Sequence, residues 1–164
     1  MSKVLILMGS DSDFEQLKPA WTILSELNIE SEVRVSSAHR TPDVVHELAT
    51  KARENGFGVI IAAAGGAAHL AGVCAALSTL PVVAMPIANG SIGGMDALLS
   101  SVQMPPGIPL ASVGIAGARN AGLFAAAILG AQDPTVAKAL ADYRTRLHNK
   151  VTAADARVRA SFAE

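Results

Sequence analysis

Charge is nearly missing from the middle of this 164-residue chain. Between Phe57 and Ala131 the only Lys, Arg, Asp or Glu residues are Asp96 and Arg119, and the flanking segments carry the other 25 of the 27. Charged residues make up 16% of the whole, against about 25% in an ordinary soluble domain. So uncharged a middle has little to offer water. It implies a thick core, with further surface covered by other subunits, because large apolar patches are rare on soluble monomers. Aromatic residues are scarce at 4%, there is no basic block, and the net charge is −1. Tracking along a phosphate backbone and stacking on bases therefore have no equipment, and nucleic acid is not an expected partner. The single cysteine, Cys74, cannot form an internal disulfide, and nothing like a signal peptide precedes Lys3-Val4-Leu5. Together these suit a reducing cytoplasm. No Cys/His cluster stands at ligand spacing, and Asp11 with Asp13 is too little to hold a metal ion, so no metal is expected. Phe57–Leu77 is long and apolar enough to raise the question of a membrane span. Its glycine pair, its histidine and its strand-like front half argue against one, and no membrane partner is expected.

What is present reads as alternating strands and helices in one domain spanning residues 1–164. Val4-Leu5-Ile6-Leu7-Met8 is a buried strand, and Ser12-Asp13-Phe14-Glu15 has the form of a capping box opening a helix to about Leu27. Ser31–Val35 is a second strand. A helix from Pro42 to about Asn55 follows, capped by the Thr41 hydroxyl and closed by Gly56. Gly58–Ala63 is a third strand, and a helix opened by Gly65-Gly66 runs towards Leu77. Pro81–Met85 and Leu110–Ile115 are the fourth and fifth strands, with a short helix over Asp96–Gln103 between them. Ala118–Leu129 and Thr135–Val151 are longer helices, and residues 151–164 form a helical extension or a tail. Continuous rather than alternating apolar strands require a sheet covered on both faces, hence a doubly wound parallel α/β domain.

In such a fold ligands bind beyond the carboxyl ends of the strands. Three loops fall there: Gly9–Asp13, Ser36–Arg40 and Ala64–His69. Ser10 and Ser12 can hydrogen-bond a phosphate, Arg40 can grip one with two parallel N–H bonds, and Asp13 can accept from sugar hydroxyls. Each alone has a plainer reading, Ser12 as a helix cap, Asp13 as a first-turn charge and Arg40 as a solvated side chain. The functional reading rests on the three loops meeting at one edge of the sheet. His39 sits beside Arg40 just before a helix start, where cation and dipole disfavour imidazolium and a bound anion would restore it. His69 lies early in a helix, as a second functional group or as a satisfied core histidine. His46 and His148 lie within helices and are assigned to packing or surface. Asn89-Gly90-Ser91-Ile92-Gly93-Gly94 is flexible enough to shield a site.

Four segments taken together resemble one family. Gly9-Ser10-x-Ser12-Asp13, Ser37-Ala38-His39-Arg40-Thr41-Pro42, Ala63-Ala64-Gly65-Gly66-Ala67-Ala68-His69-Leu70 and Ser101-Val102-Gln103-Met104-Pro105-x-Gly107-Ile108-Pro109 occur in order at the spacing of the PurE family. These are the N5-carboxyaminoimidazole ribonucleotide mutases of purine (IMP) biosynthesis, and the likeness runs from about Lys3 to Lys150. Phe14 stands where relatives often carry tryptophan. The resemblance implies a flavodoxin-like three-layer αβα sandwich, a homo-octamer with sites at subunit junctions, and no cofactor. It also implies a ribonucleotide substrate whose carboxylate moves from N5 to C4. By the same resemblance Ser10, Asp13 and Arg40 bind the ribose phosphate, with Ser12 and Ser37 close by. His39 is the general acid and base. Gly65, Gly66, Ala67 and Leu70 contact substrate in a tight, dry pocket, where His69 orients the carboxylate.

Relatives that carboxylate the same nucleotide directly with carbon dioxide resemble this chain in fold, but typically carry lysine in place of Arg40 and lack the Gly-Gly-Ala-Ala-His-Leu segment. A non-catalytic phospho-ligand module would need the serines and Arg40 but not His39. Flavodoxin-type electron transfer would want aromatic residues to sandwich a flavin, and a response regulator would want an acidic residue where Ala62-Ala63-Ala64 stand.

Overall fold

The computed structural model describes residues Lys3–Phe162. Five strands, β1 (Lys3–Met8), β2 (Ser31–Val35), β3 (Phe57–Ala64), β4 (Val82–Pro86) and β5 (Ala111–Ser112), form one parallel sheet in the order β2-β1-β3-β4-β5. The helices are α1 (Phe14–Glu26), α2 (Pro42–Thr50), α3 (Leu70–Leu77), α4 (Met95–Val102), α5 (Ala118–Gly130) and α6 (Pro134–Ala160). Because β1 lies between β2 and β3, the chain leaves it towards one side of the sheet and later returns to the other. That reversal opens a crevice at the carboxyl ends of the strands, and the order is that of flavodoxin-like sheets.

Side-chain alternation along the strands divides the core into two layers. Val4, Ile6, Met8, Val59, Ile61 and Met85 pack with Leu17, Ile23 and Leu24 of α1 and Ala121 and Ala125 of α5. Leu5, Leu7, Ile60, Ala62 and Ala84 face the opposite way, against Val45 of α2 and Leu70 and Cys74 of α3. Both faces are thus sealed, as the unbroken apolar strands imply. Each fully buried Leu or Ile contributes about 1.5–3 kcal/mol, so these layers, not helix propensity, hold α1 and α5 on one face and α2 and α3 on the other.

The α1 and α5 helices approach so closely that a Cβ on Gly122 would lie 2.4 Å from Ile23 Cγ2 and 2.8 Å from the Ala20 carbonyl oxygen. Arg119 then ties three helices together: its Nη2 donates to Glu26 Oε2 at 2.9 Å and its Nε to the Tyr143 hydroxyl at 3.2 Å. One of the two charges in the uncharged middle is accounted for by this clip. Phe57–Leu77 divides into β3, a turn and α3, and among the described residues no helix is long and apolar enough to cross a membrane.

Several helix starts differ from their local sequence signals. Ser12 does not cap α1. A 3-10 turn over Asp11–Asp13 precedes it, capped by Ser10, whose extended backbone lets its Oγ accept from Ser12 N at 3.4 Å. Ser12 is thereby drawn inside the turn, and no side-chain cap forms at Asp13. Thr41 likewise makes no cap; its Oγ1 instead accepts from Ser37 N at 2.9 Å and closes the loop before α2. The α2 helix stops at Thr50, and tight turns lead to Gly56 at φ +83. The α3 helix begins at Leu70 rather than at the glycine pair, with His69 as its N-cap residue. At the sheet edge β5 spans only Ala111–Ser112, and Ala116 at φ +55 then turns the chain towards α5. The α6 helix continues without a break past Val151 to Ala160.

Candidate active site

The loops after β1, β2, β3 and β4 meet in a cleft of about 350 Å³ at the carboxyl edge of the sheet. Ten of the eleven residues singled out in the sequence line it: Ser10, Ser12, Asp13, Ser37, His39, Arg40, Gly65, Ala67, His69 and Leu70. Gly66, the eleventh, is not on its wall; it holds the turn between β3 and α3 at φ +61, a conformation that favours glycine. Asn89, from the loop after β4, completes the lining. A larger cavity of about 570 Å³ lies at the opposite end of the sheet, bordered by Arg53, Phe57, Pro81 and Asp133. Arg53 and Pro81 stand before β3 and β4, Phe57 opens β3 and Asp133 follows α5; this end of the sheet brings no imidazole, so the smaller cleft is the better-equipped one.

One half of the cleft gathers hydroxyls and a guanidinium. Ser37 Oγ accepts from the His39 and Arg40 backbone N–H groups at 3.3 and 3.2 Å and from Arg40 Nε at 3.4 Å. Arg40 Nη2 donates to the Gly9 carbonyl, bridging the β1 and β2 loops. Ser12 Oγ lies 2.9 Å from Ser10 Oγ, so the two hydroxyls stand side by side. Ser36, just before this loop, is buried with an unpartnered Oγ. It lines an adjoining hollow that shares Gly9, Ser10, Ser37 and Arg40 with the cleft. Asp13 is only 8% exposed. Burial raises its carboxyl from the ordinary aspartate value, against the opposing pull of the Ser12 hydroxyl, the Ser10 backbone and Arg40.

The other half carries the two imidazoles. His39 Nε2 and His69 Nδ1 are 2.9 Å apart, with the rings nearly perpendicular at 82° and their centroids 5.0 Å apart. At that distance one ring N–H donates to the bare nitrogen of the other, so the two imidazoles are joined by a single hydrogen bond. Beside them the Asn89 carboxamide fills the space above Gly65: a Cβ there would lie 2.2 Å from Asn89 Nδ2 and would require that amide to move. Among the described residues no group of three or more His, Cys, Asp and Glu stands close enough together to hold a metal ion.

Asn89 is the residue that sequence reasoning placed in a covering loop rather than on the cleft wall. The available signal was its position just after β4, on the same sheet edge as the other three loops.

Fold and site together define a flavodoxin-like α/β protein with a cleft at its topological switch point that gathers serine hydroxyls, a guanidinium and two imidazoles. The family model described as AIR carboxylase matches residues 3–150, and the chain belongs to that family. It is 53% identical over 144 residues to an N5-carboxyaminoimidazole ribonucleotide mutase of Pyrococcus abyssi, covering 88% of this chain and 83% of that one. To the enzyme of the same name from Bacillus subtilis it is 56% identical over 141 residues, 85% of this chain and 87% of the other. Among solved structures, Treponema denticola PurE superposes with a TM-score of 0.88 at 29% identity, over 96% of this chain and 98% of that one.

Proposed function

We propose that this protein is an N5-carboxyaminoimidazole ribonucleotide mutase, moving the carboxylate from N5 to C4 to give 4-carboxy-5-aminoimidazole ribonucleotide in purine biosynthesis. The observation that carries the reading is the His39–His69 pair, set 2.9 Å apart in the same cleft as Ser10, Ser37 and Arg40. A phosphate fits the half where the two serines and the guanidinium converge, held by charge-assisted hydrogen bonds. Asp13 then stands ready to accept from ribose hydroxyls. This places the imidazole base of the nucleotide towards His39 and His69.

The chemistry needs one proton moved twice. As the N5–carboxylate bond breaks, carbon dioxide leaves and N5 takes a proton from His39. C4 then attacks the carbon dioxide, and the neutral His39 removes the C4 proton. Such acid–base catalysis works best with a group titrating near the operating pH and is worth about 10²–10⁴-fold. His69, bonded to His39, fixes which ring nitrogen carries the proton and orients the carboxylate. Carbon dioxide must be kept from water between the two steps, and Gly65, Ala67 and Leu70 supply a close, apolar wall with backbone donors at the start of α3. Proton transfer and shelter suffice for this path, which requires no cofactor or metal.

We further propose that the enzyme works as a cytoplasmic homo-oligomer, an octamer by family likeness. Its support is the exposure of Met95, Leu99 and Val102, spaced four and three residues apart along α4, with Phe124 of α5 also exposed. The test of function is to supply purified protein with the N5-carboxylated nucleotide, or with aminoimidazole ribonucleotide and bicarbonate. Fast conversion of the first alone establishes the mutase. Fast use of the second alone makes the protein a direct carboxylase, against the markers Arg40 and Gly65–Leu70.

A further inference from the structure

Gln16 and Asn89 form a unit that neither the two histidines nor the anion-binding serines explain. Gln16 lies in the first turn of α1, and its side-chain amide meets the backbone of Ala88 twice. Nε2 donates to the Ala88 carbonyl at 3.2 Å, and the Ala88 N–H donates to Oε1 at 2.9 Å. A carboxamide that satisfies both groups of one residue imitates a neighbouring strand, so it prolongs the pairing of β4 just where the strand ends. Downstream, Gly90, Gly93 and Gly94 all take left-handed conformations, and Gly94 is packed so tightly that a Cβ would lie 2.6 Å from the Ile87 carbonyl oxygen. Asn89 is thus held between a side-chain clamp on one side and a chain reversal on the other.

Its carboxamide packs against the surface of Gly65. The Asn89 Nδ2, Cγ and Oδ1 atoms occupy the very volume that a side chain on residue 65 would fill, at 2.2, 2.6 and 2.6 Å from the would-be Cβ. The missing side chain at Gly65 and the presence of Asn89 are complementary, and the group so placed lines the cleft beside His39 and His69.

We infer that Asn89 is a substrate contact and that Gln16 is a positioning residue acting through it. The inference rests on the mutase reading for what the carboxamide meets. One amide offers a donor and an acceptor on adjacent atoms. It can donate to the migrating carboxylate while accepting from an N–H of the exocyclic nitrogen, and so hold both partners of the transfer against the Gly65 backbone. Losing that grip lets the base tilt and carbon dioxide escape, so free aminoimidazole ribonucleotide should leak from turnover.

The experiment measures kcat, KM and the fraction of turnovers released as aminoimidazole ribonucleotide for wild type, Asn89→Ala, Gln16→Glu and the double variant. Circular dichroism and sedimentation serve as controls of fold and assembly. Gln16→Glu keeps the size but sets a carboxylate oxygen against the Ala88 carbonyl, undoing the clamp. The expectation is a tenfold or greater loss of kcat/KM in Asn89→Ala with increased leakage, a similar loss in Gln16→Glu, and a double variant no worse than Asn89→Ala alone. Activity of Asn89→Ala within twofold of wild type, or losses that multiply in the double variant, would overturn the inference. If wild-type protein fails to rearrange the N5-carboxylated nucleotide, the mutase reading falls and calorimetry decides this one separately. A Kd for the 4-carboxylated nucleotide raised fivefold or more by Asn89→Ala upholds the contact, and an unchanged Kd removes it.

Discussion

Replacing Gly65 by alanine separates stability from activity in a way the geometry makes quantitative. Gly65 does not occupy the left-handed region, so its backbone accepts an L side chain, and the substitution removes freedom from the unfolded chain worth about 0.4–1 kcal/mol. Against that gain stands the 2.2 Å approach of the new Cβ to Asn89 Nδ2. Ordinary contact begins near 3.4 Å, so the amide must retreat by about 1.2 Å or swing away. Asn89 is exposed and its terminal amide has water to turn into, so the retreat costs little folding free energy. The cleft, however, receives both a methyl group and a displaced amide beside the imidazole pair. Misplacement of a reacting group by about 1 Å costs on the order of 10²-fold in rate. Gly65→Ala is therefore expected to unfold in urea within about 1 kcal/mol of wild type while kcat/KM for the N5-carboxylated nucleotide drops roughly 10- to 100-fold. Two measurements decide it, an equilibrium urea titration and steady-state kinetics on one preparation. Wild-type activity would show that the Gly65 surface is not part of the working cleft. A stability loss well above 1 kcal/mol would show that the Asn89 amide cannot give way as argued.

Other perturbations test other parts of the structure. His39→Asn should abolish turnover while calorimetry still finds the nucleotide bound, since Ser10, Ser37 and Arg40 are untouched; near-normal turnover would remove His39 from the proton path. Gly122→Ala pits a helix-propensity gain of about 1 kcal/mol against a clash with the Ala20 backbone, and overpacking of this kind costs about 1–3 kcal/mol. The clash should win, and a urea midpoint higher than wild type would contradict the α1–α5 approach. Asp13→Asn probes burial. Because the folded protein raises the Asp13 carboxyl above its ordinary value of 3.8, the folded state holds the proton more tightly than the unfolded chain, and stability falls as pH rises through the gap. The variant should match or exceed wild type in stability at pH 7, lose that advantage as pH drops below the ordinary value, and bind nucleotide more weakly. A wild type clearly more stable than the variant at pH 7 would be the contrary result. Finally, analytical ultracentrifugation should find a large oligomer, and a monomer at micromolar concentration would leave the exposed α4 stripe unexplained.

Much of the fold was legible in local sequence because a doubly covered strand has to be apolar on both faces, and only such strands read as unbroken runs. Val4–Met8 and Gly58–Ala63 could hardly be anything else, and the third strand extends one residue beyond that run at each end. The boundaries were less legible. Ser12-x-x-Glu15 has the letters of a capping box, yet Ser10 captures Ser12 into a 3-10 turn first, and two overlapping signals of equal strength cannot be ranked without coordinates. Thr41 likewise had two partners within reach, the α2 helix start and Ser37, and the loop took the hydroxyl.

Residue types and their place after strands determined the outline of the site: serines and an arginine for an anion, a histidine at a helix start, small residues for a tight wall. Only tertiary structure decided that His39 and His69, thirty positions apart, share one hydrogen bond. The same holds for Gln16, whose partner Ala88 is 72 positions away, and for Asn89, which shares the space above Gly65. Periodicity and capping act over a few residues and are written into neighbouring letters. A contact between loops depends on the order in which the strands are laid side by side, and that order is set by packing of the whole sheet.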